Sequence, residues 1–403
     1  MSQQLFYDYN CNTAAIFVYI NIPMQNNTAL VFYYTHINKF SFNALLGALE
    51  IDPSFDNLPL YLIETEKELF DKAENIINKH NKIIFCFSFF TVQAPEIQAI
   101  LQKLKAYRSD KFTFIAGGPH ATGLPEETLN LGFDIAVIGE GEETLPVLLK
   151  ALEQNKDYAD IKGLSYKDAS GTYCNSGKAH IIDLNKYPAQ AEKNKIFGSI
   201  EITRGCPFFC KFCQTPHMFG GKQRHRSLEN ILHYLTVMKA HKLRDIRFIT
   251  PSAFSYGSAD GRHVNLQALE KLFSSIKRTL GSENRIFIGT FPSEVRPEQV
   301  TKETLRLVKD YASNDNIIIG AQSGSQRMLK HCNRGHTVKD ILNAVELTRK
   351  ADLGANVDFI FGLPGETDDD RLQTEKVIKI ITKMGGVIRP HTFMKLPQTP
   401  FYL

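Results

Sequence analysis

Short apolar runs alternate with amphipathic stretches from Ala29 onward. Ala29–Tyr34, Leu58–Ile63, Lys82–Phe89, Phe112–Ala116 and Asp134–Ile138 read as strands. Phe42–Leu49, Glu66–Lys79 and Glu96–Tyr107 read as helices, with another beginning near Thr144. These strands lack the polar alternation of a half-solvated sheet, which is the pattern of parallel strands covered on both faces. The pattern predicts a doubly wound, flavodoxin-like α/β domain over residues 29–155. Ligands of such sheets lie at the carboxyl ends of the strands. Here those ends carry Ser88 and Phe89, then Gly117-Gly-Pro-His-Ala-Thr122, then Gly139-Glu-Gly-Glu142. Residues 1–28 show no clear period, and the apolar Ile16–Ile22 within them reads as an extension or an edge strand.

Residues 156–195 read as a connector holding a hairpin, in which Gly163-Leu-Ser-Tyr166 and Gly171-Thr-Tyr-Cys174 flank a turn-forming Lys167-Asp-Ala-Ser-Gly171. From residue 196 the alternation resumes with strands at Gly198–Thr203, Asp245–Thr250, Arg285–Phe291, Ile317–Ala321, Ala355–Phe361 and Val387–Lys395. Between them helices are predicted from Ser227, a good N-cap, to about Lys242, and at Leu266–Leu280, Lys302–Ala312, Val338–Ala351 and Asp370–Met384. Six βα repeats make a partial barrel of the triosephosphate isomerase type, with its site at the carboxyl ends of the strands. Only Leu396–Leu403 follows the last strand, as expected of a chain cut short there.

Composition adds exclusions. At 403 residues and 43% hydrophobic, the chain suits two or three domains with large cores. A net charge of +4 is far from the basicity of a dedicated nucleic-acid binder, so no nucleic-acid partner is expected. Seven cysteines, an odd number unevenly spread, make no disulfide framework and point to a reducing cytoplasm. Neither a secretory leader nor an apolar stretch long enough to cross a bilayer is present in the sequence, so no membrane is expected.

The densest chemistry is Arg204-Gly-Cys-Pro-Phe-Phe-Cys-Lys-Phe-Cys-Gln-Thr-Pro216, which sets Cys206, Cys210 and Cys213 in a C-x3-C-x2-C pattern. Thiolates so grouped select zinc or iron and sulfur. A structural zinc site wants four protein ligands, and no second pair of ligands at such spacing exists here, although a zinc knuckle remains the alternative. A cubane cluster held by three cysteines leaves one iron open to a small chelator. The spacing, with Phe212 before the last cysteine, resembles the radical S-adenosylmethionine (SAM) enzymes. That resemblance implies a 4Fe-4S cluster on Cys206, Cys210 and Cys213, SAM on the open iron, and a 5'-deoxyadenosyl radical.

The strand ends of the first domain resemble the cobalamin-binding domain found upstream of one large radical SAM class. The resemblance implies cobalamin contacts at Thr35, His36, Ser88, Phe89, Gly117, Gly118, His120, Gly139, Glu140 and Gly141. That family's D-x-H-x-x-G signature is replaced by Tyr34-Thr-His-Ile-Asn-Lys39, so cobalamin is expected without histidine ligation. In the barrel, the segments around Gln322, Ser323 and Arg334, around Ser293, Glu294 and Arg296, and around Ile360 and Gly362 look like the SAM-binding segments of the same class. Phe212 is expected against SAM as well. The usual Gly-Gly-Glu of the second strand is replaced by Thr250-Pro-Ser-Ala-Phe-Ser-Tyr-Gly257, where Thr250, Pro251 and Ser252 are expected to stand in.

The resemblance implies a cobalamin-dependent enzyme, with methyl transfer to an unactivated carbon as the reaction: SAM methylates cob(I)alamin, the radical abstracts a substrate hydrogen, and the carbon radical takes the methyl group. Ring formation or rearrangement, methylthiotransferase-like chemistry and a non-catalytic cobalamin or redox sensor are the alternatives. Methylthiotransferases need three further N-terminal cysteines, where this chain offers Cys11 and Cys86, with Cys174 beyond. A small-molecule or peptide substrate and an electron donor such as flavodoxin or ferredoxin are the expected partners. Lys222-Gln-Arg-His-Arg226 reads as a solvated helix entry, and Asp368-Asp-Asp370 as charges complementing a helix dipole.

Overall fold

A computed structural model describes residues 27–107 and 110–402; the extension or edge strand read at Ile16–Ile22 lies outside them. The first sheet contains β1 (Thr28–Tyr33), β2 (Leu60–Ile63), β3 (Lys82–Ser88), β4 (Phe112–Gly117), β5 (Ile135–Val137), β6 (Leu164–Lys167) and β7 (Tyr173–Asn175). Its strand order is β2-β1-β3-β4-β5-β6-β7, parallel through β5. The 2-1-3-4-5 order is the flavodoxin-like doubly wound arrangement. Both faces are covered: Val31, Phe85, Phe87 and Ala116 pack on one side and Leu30, Phe32, Ile84 and Ile115 on the other. That double burial is why these strands carry no polar alternation.

One sequence expectation shifts. The hairpin is not a free connector, because β6 pairs antiparallel with β5 and extends the first sheet. The Gly-Gly-Pro-His segment after β4 winds into a short helix, Gly118–Gly123, with Pro119 in its first turn.

The second domain contains β8 (Ile200–Glu201), β9 (Thr203–Arg204), β10 (Arg224–His225), β11 (Asp245–Ile249), β12 (Arg285–Phe287), β13 (Asn316–Gln322), β14 (Gly354–Phe361) and β15 (Val387–Thr392). Parallel sheets β12-β11-β8 and β13-β14-β15 form its wall, and a parallel bridge between Val295 and Ile319 joins them. The result is the predicted partial barrel. Ile246, Phe248, Ile286, Ile317, Ile319, Val357 and Phe359 face outward against the helices. The intervening Glu201, Arg247, Gly320 and Asp358 therefore face the lumen, which is polar. Among the described residues, no helix is long and apolar enough to cross a membrane.

Candidate active site

The cysteine loop leaves β9 through Gly205, whose φ is +90° and whose added Cβ would lie 2.3 Å from Lys222 O, so only glycine turns here. Hydrogen bonds hold the loop at both ends. Cys206 N donates to Gly220 O (3.1 Å) and Cys213 N to Cys210 O (2.9 Å). The segment after β13 clamps it from outside: Asn333 Nδ2 donates to Phe208 O (2.8 Å) and Phe209 O (3.2 Å), and Lys211 N donates to Cys332 O (3.0 Å). Arg334 then reaches in, its Nη1 3.4 Å from Cys210 Sγ and its Nη2 2.7 Å from Gly320 O.

Burial pushes the Cys206 thiol up to about 11, with the neighbouring Cys213 and Cys210 adding to it, and burial also raises Cys213. Close enough to repel as thiolates, the three want a cation among them. Among the described residues, no three Cys, His, Asp or Glu side chains converge on one ion-sized point. Three thiols in one short loop fit a cluster held by three cysteines better than a zinc site, which wants four protein ligands.

Five charged side chains, three buried and two half-buried, join the domains behind this loop. Arg204, 7% exposed, donates to Glu140 Oε2 (3.1 Å), Glu142 Oε1 (2.6 Å) and Glu201 Oε2 (2.6 Å). Arg224 pairs with Glu140 from the other side and donates to Ile182 O (2.6 Å). Burial alone would raise the Glu142 pKa; the Arg204 charge outweighs it and holds the carboxyl below its ordinary range. The basic segment 222–226 is thus no solvated helix entry. Arg226 is 2% exposed and donates to Leu184 O and Tyr187 O (2.5 and 2.9 Å). Asp370 likewise does more than complement a dipole: it is buried and accepts from Ser325 Oγ (2.6 Å) and Arg327.

Between the domains lies a cavity of about 440 Å³. Ser88, Gly117, Gly118, Gly139, Glu140 and Gly141 line it from the first domain, and Cys213, Gln214 and Thr215 from the barrel. A Cβ on Gly117 would enter open space, whereas one on Gly118, where φ is +85°, would lie 2.6 Å from Ser88 Oγ. This glycine floor is a cradle that side chains would fill. Thr35 and His36 are not among its lining residues, and His36 is solvent-exposed. Phe89 and His120 stack behind the floor with ring centres 5.0 Å apart, and burial lowers the His120 pKa and keeps the ring neutral. Phe40, Phe42, Tyr187 and Phe219 complete the wall and carried no motif in the sequence.

At the barrel mouth the predicted residues divide. Thr250 N donates to Ser293 Oγ (2.9 Å), Ser293 Oγ to Phe248 O (2.7 Å) and Ser252 Oγ to Gln299 Oε1 (2.6 Å), so these groups brace the strand ends. Pro251 follows directly on Thr250 at that strand end. Ser323 Oγ accepts from Ser325 N (3.1 Å). Gln322 holds φ at +72°, an unusual angle for a residue with a side chain. Arg296 donates to Arg334 O and stacks 3.4 Å from the Phe208 ring centre. Burial, then the charges of Arg334 and Arg296, push His336 down to about 2, so it stays neutral.

Arg334 Nε is buried without a hydrogen-bond partner, while Glu298 Oε2 and His336 Nδ1, also without one, stand 3.6 Å from each other. A buried guanidinium N–H left unpaired suits a ligand carboxylate. Gly362, φ +79°, leaves open space where a Cβ would stand, and its amide donates to Glu366 Oε2 (3.0 Å). Ile360 and Phe212 pack together beside Leu363 and Phe401. Glu294 keeps an exposed edge toward the mouth although protein surrounds the rest of it. Burial, then Asp358, push its pKa up to about 7.

Residues 200–378 match the radical SAM superfamily and residues 40–149 match the B12 binding domain. The chain is a radical SAM protein with an N-terminal B12-binding domain. It is 26% identical over 328 residues to an uncharacterized methyltransferase of Pyrococcus horikoshii, covering 78% of this chain and 67% of that one. It is 28% identical over 323 residues to a putative methylthiotransferase of Methanocaldococcus jannaschii, covering 78% and 66%. The chain thus spans about two thirds of the length of these curated relatives.

Its fold follows the cobalamin-dependent SAM radical enzyme OxsB, with TM-score 0.71, 18% identity, and 94% of this chain and 60% of that one covered. It also follows the radical SAM methyltransferase TsrM of Kitasatospora setae, with TM-score 0.73, 17% identity, and 93% and 75% covered. The cofactors of this domain pairing are a 4Fe-4S cluster, SAM and cobalamin. Each has a fitting place in this radical SAM protein: the thiol trio, the mouth with its orphaned polar groups, and the glycine-floored cavity.

Proposed function

We propose that this radical SAM protein is a cobalamin-dependent methyltransferase acting on an unactivated carbon in the reducing cytoplasm, served by a flavodoxin- or ferredoxin-type electron donor. One observation supports this most: Cys213 of the cluster loop and Gly117 of the first domain line the same cavity. When bound, the three cofactors supply one-electron reduction, hydrogen abstraction and a methyl carrier.

The chain's own residues position these events. Arg334 holds a permanent positive charge beside Cys210 and fixes that thiolate. Gly117 leaves room for a broad planar ligand, and the arginine–glutamate cluster keeps the cavity's two walls in register. Closure of the domain interface keeps water from a reactive carbon.

Methylthiotransferase-like chemistry, the name carried by the Methanocaldococcus jannaschii relative, is the second reading; against it, Cys86 is buried in β3 with its thiol pushed up by burial, and Cys174 sits on the hairpin. The decisive experiment is anaerobic reconstitution with methyl-labelled SAM. Production of 5'-deoxyadenosine and S-adenosylhomocysteine together supports the reading. Bound cobalamin with neither product makes the protein a sensor, and 5'-deoxyadenosine without S-adenosylhomocysteine favours ring-forming or rearrangement chemistry.

A further inference from the structure

A layer of charged side chains crosses the inner wall of the barrel. Gly320 of β13 pairs with Asp358 of β14, and Asp358 with Arg389 of β15; one step further along, Ile360 pairs with His391. Val357 and Phe359, which alternate with these residues, belong to the outer core, so Asp358, Arg389 and His391 share the lumen face. The Val295–Ile319 bridge brings Glu294 alongside Gly320. Gly320 makes that approach possible, since a Cβ there would lie 2.8 Å from Glu294 Oε2.

Burial and then the neighbouring Asp358 carboxyl raise Glu294, so two carboxyls crowd one another in this layer. Arg334 reaches Gly320 O from the cluster side, and Arg389 stands on the open side. Asp358 is 2% exposed and its Oδ1 has no hydrogen-bond partner. Arg389 Nε and His391 Nε2 each stand 3.5 Å from that oxygen, while their side chains stay 37% and 46% exposed. Two accessible basic groups are thus gathered beside one buried carboxylate and still have donors to spare.

We propose that Arg389 and His391 form a subsite for a carboxylate group of the substrate, with Asp358 as the positioning residue that sets both. The assignment deepens the enzymatic reading above and rests on it, because the lumen must be where the substrate lies. A guanidinium presents a planar fork that a carboxylate matches with two hydrogen bonds. Asp358 Oδ1 lies 3.5 Å from Arg389 Nε, and the Arg389 side chain keeps 37% of its surface exposed.

The test is calorimetric titration of the reconstituted full chain with succinate, inorganic phosphate and ethylenediamine. Succinate binding is expected to weaken about tenfold or more in Arg389→Gln and in His391→Gln, the cost of one charge-assisted hydrogen bond. It should be unchanged in Arg371→Gln, which alters an exposed arginine paired with Asp368 on the barrel's outer helix. Both subsite variants lie on an edge strand, and unchanged thermal melting verifies their folding. The assignment is overturned if succinate does not bind, if it binds Arg389→Gln as well as wild type, or if phosphate or ethylenediamine binds more tightly. No turnover enters this readout. A protein that binds succinate through Arg389 but never forms 5'-deoxyadenosine therefore refutes the enzymatic reading alone.

Discussion

Arg334 touches Cys210: its Nη1 stands 3.4 Å from the sulfur while its Nη2 is anchored 2.7 Å from Gly320 O. One guanidinium thereby ties Cys210, a proposed cluster ligand, to the fourth strand of the barrel. Lysine would keep the charge and lose the second anchor. Arg334→Lys is expected to retain iron and lower 5'-deoxyadenosine formation by about tenfold to a hundredfold, the usual scale for a lost positioning contact. Iron content equal to wild type with unchanged SAM cleavage would remove Arg334 from the site.

Replacing Cys206, Cys210 or Cys213 with serine should each abolish the broad iron–sulfur absorbance after anaerobic reconstitution, because the trio has no spare thiol in the loop. Thermal melting of the metal-free variants should match that of metal-free wild type, since the bond from Cys206 N to Gly220 O and those from the Asn333 side-chain amide to Phe208 O and Phe209 O already hold the loop. Retention of one zinc per chain in the wild-type protein would contradict the cluster.

Gly117→Leu separates the cobalamin cradle from the fold. The backbone there is extended, so a side chain adds no strain, and its Cβ meets open space. The variant should melt as wild type does yet retain about tenfold less cobalamin on desalting, because leucine occupies the cavity. Gly118→Ala differs: with φ at +85° and a clash with Ser88 Oγ, it should destabilise the fold itself.

Glu294 gives the stability of the fold a pH signature. Its carboxyl is raised from 4.5 to about 7, so between those values the native chain holds a proton that the unfolded chain has released. Its stabilising contribution is complete below pH 4.5 and is lost as the pH rises through about 7. Urea unfolding at pH 5.5 and pH 8 should show a drop in wild type that Glu294→Gln reduces. An equal drop in both proteins would show that Glu294 titrates normally.

The elements of both domains could be read from the chain because their drivers are local. Val31, Phe85 and Ile115 announce a doubly covered sheet by being apolar on every position, and the helices follow from amphipathic spacing and caps such as Ser227. The cysteine trio and the glycine floor were legible for the same reason, as each lies within one short segment. The charge cluster was not. Glu140 and Glu142 are adjacent to glycines that suggest a ligand site, and nothing local reveals that Arg204 and Arg224, more than sixty residues away, will neutralise them. Nothing in the sequence around Asp358 marks it, because its partners Glu294 and Arg389 come from other strands.

Arg204 also bears on how a ligand as broad as a corrin reaches its berth. Swinging the two halves apart would break both ion pairs of Arg204 to the first domain together, and a guanidinium and two carboxylates would have to be rehydrated as the seam opened. Loading is therefore expected to be easiest while the chain folds, and cobalamin added to the growing culture should fill more chains than cobalamin added to the finished protein.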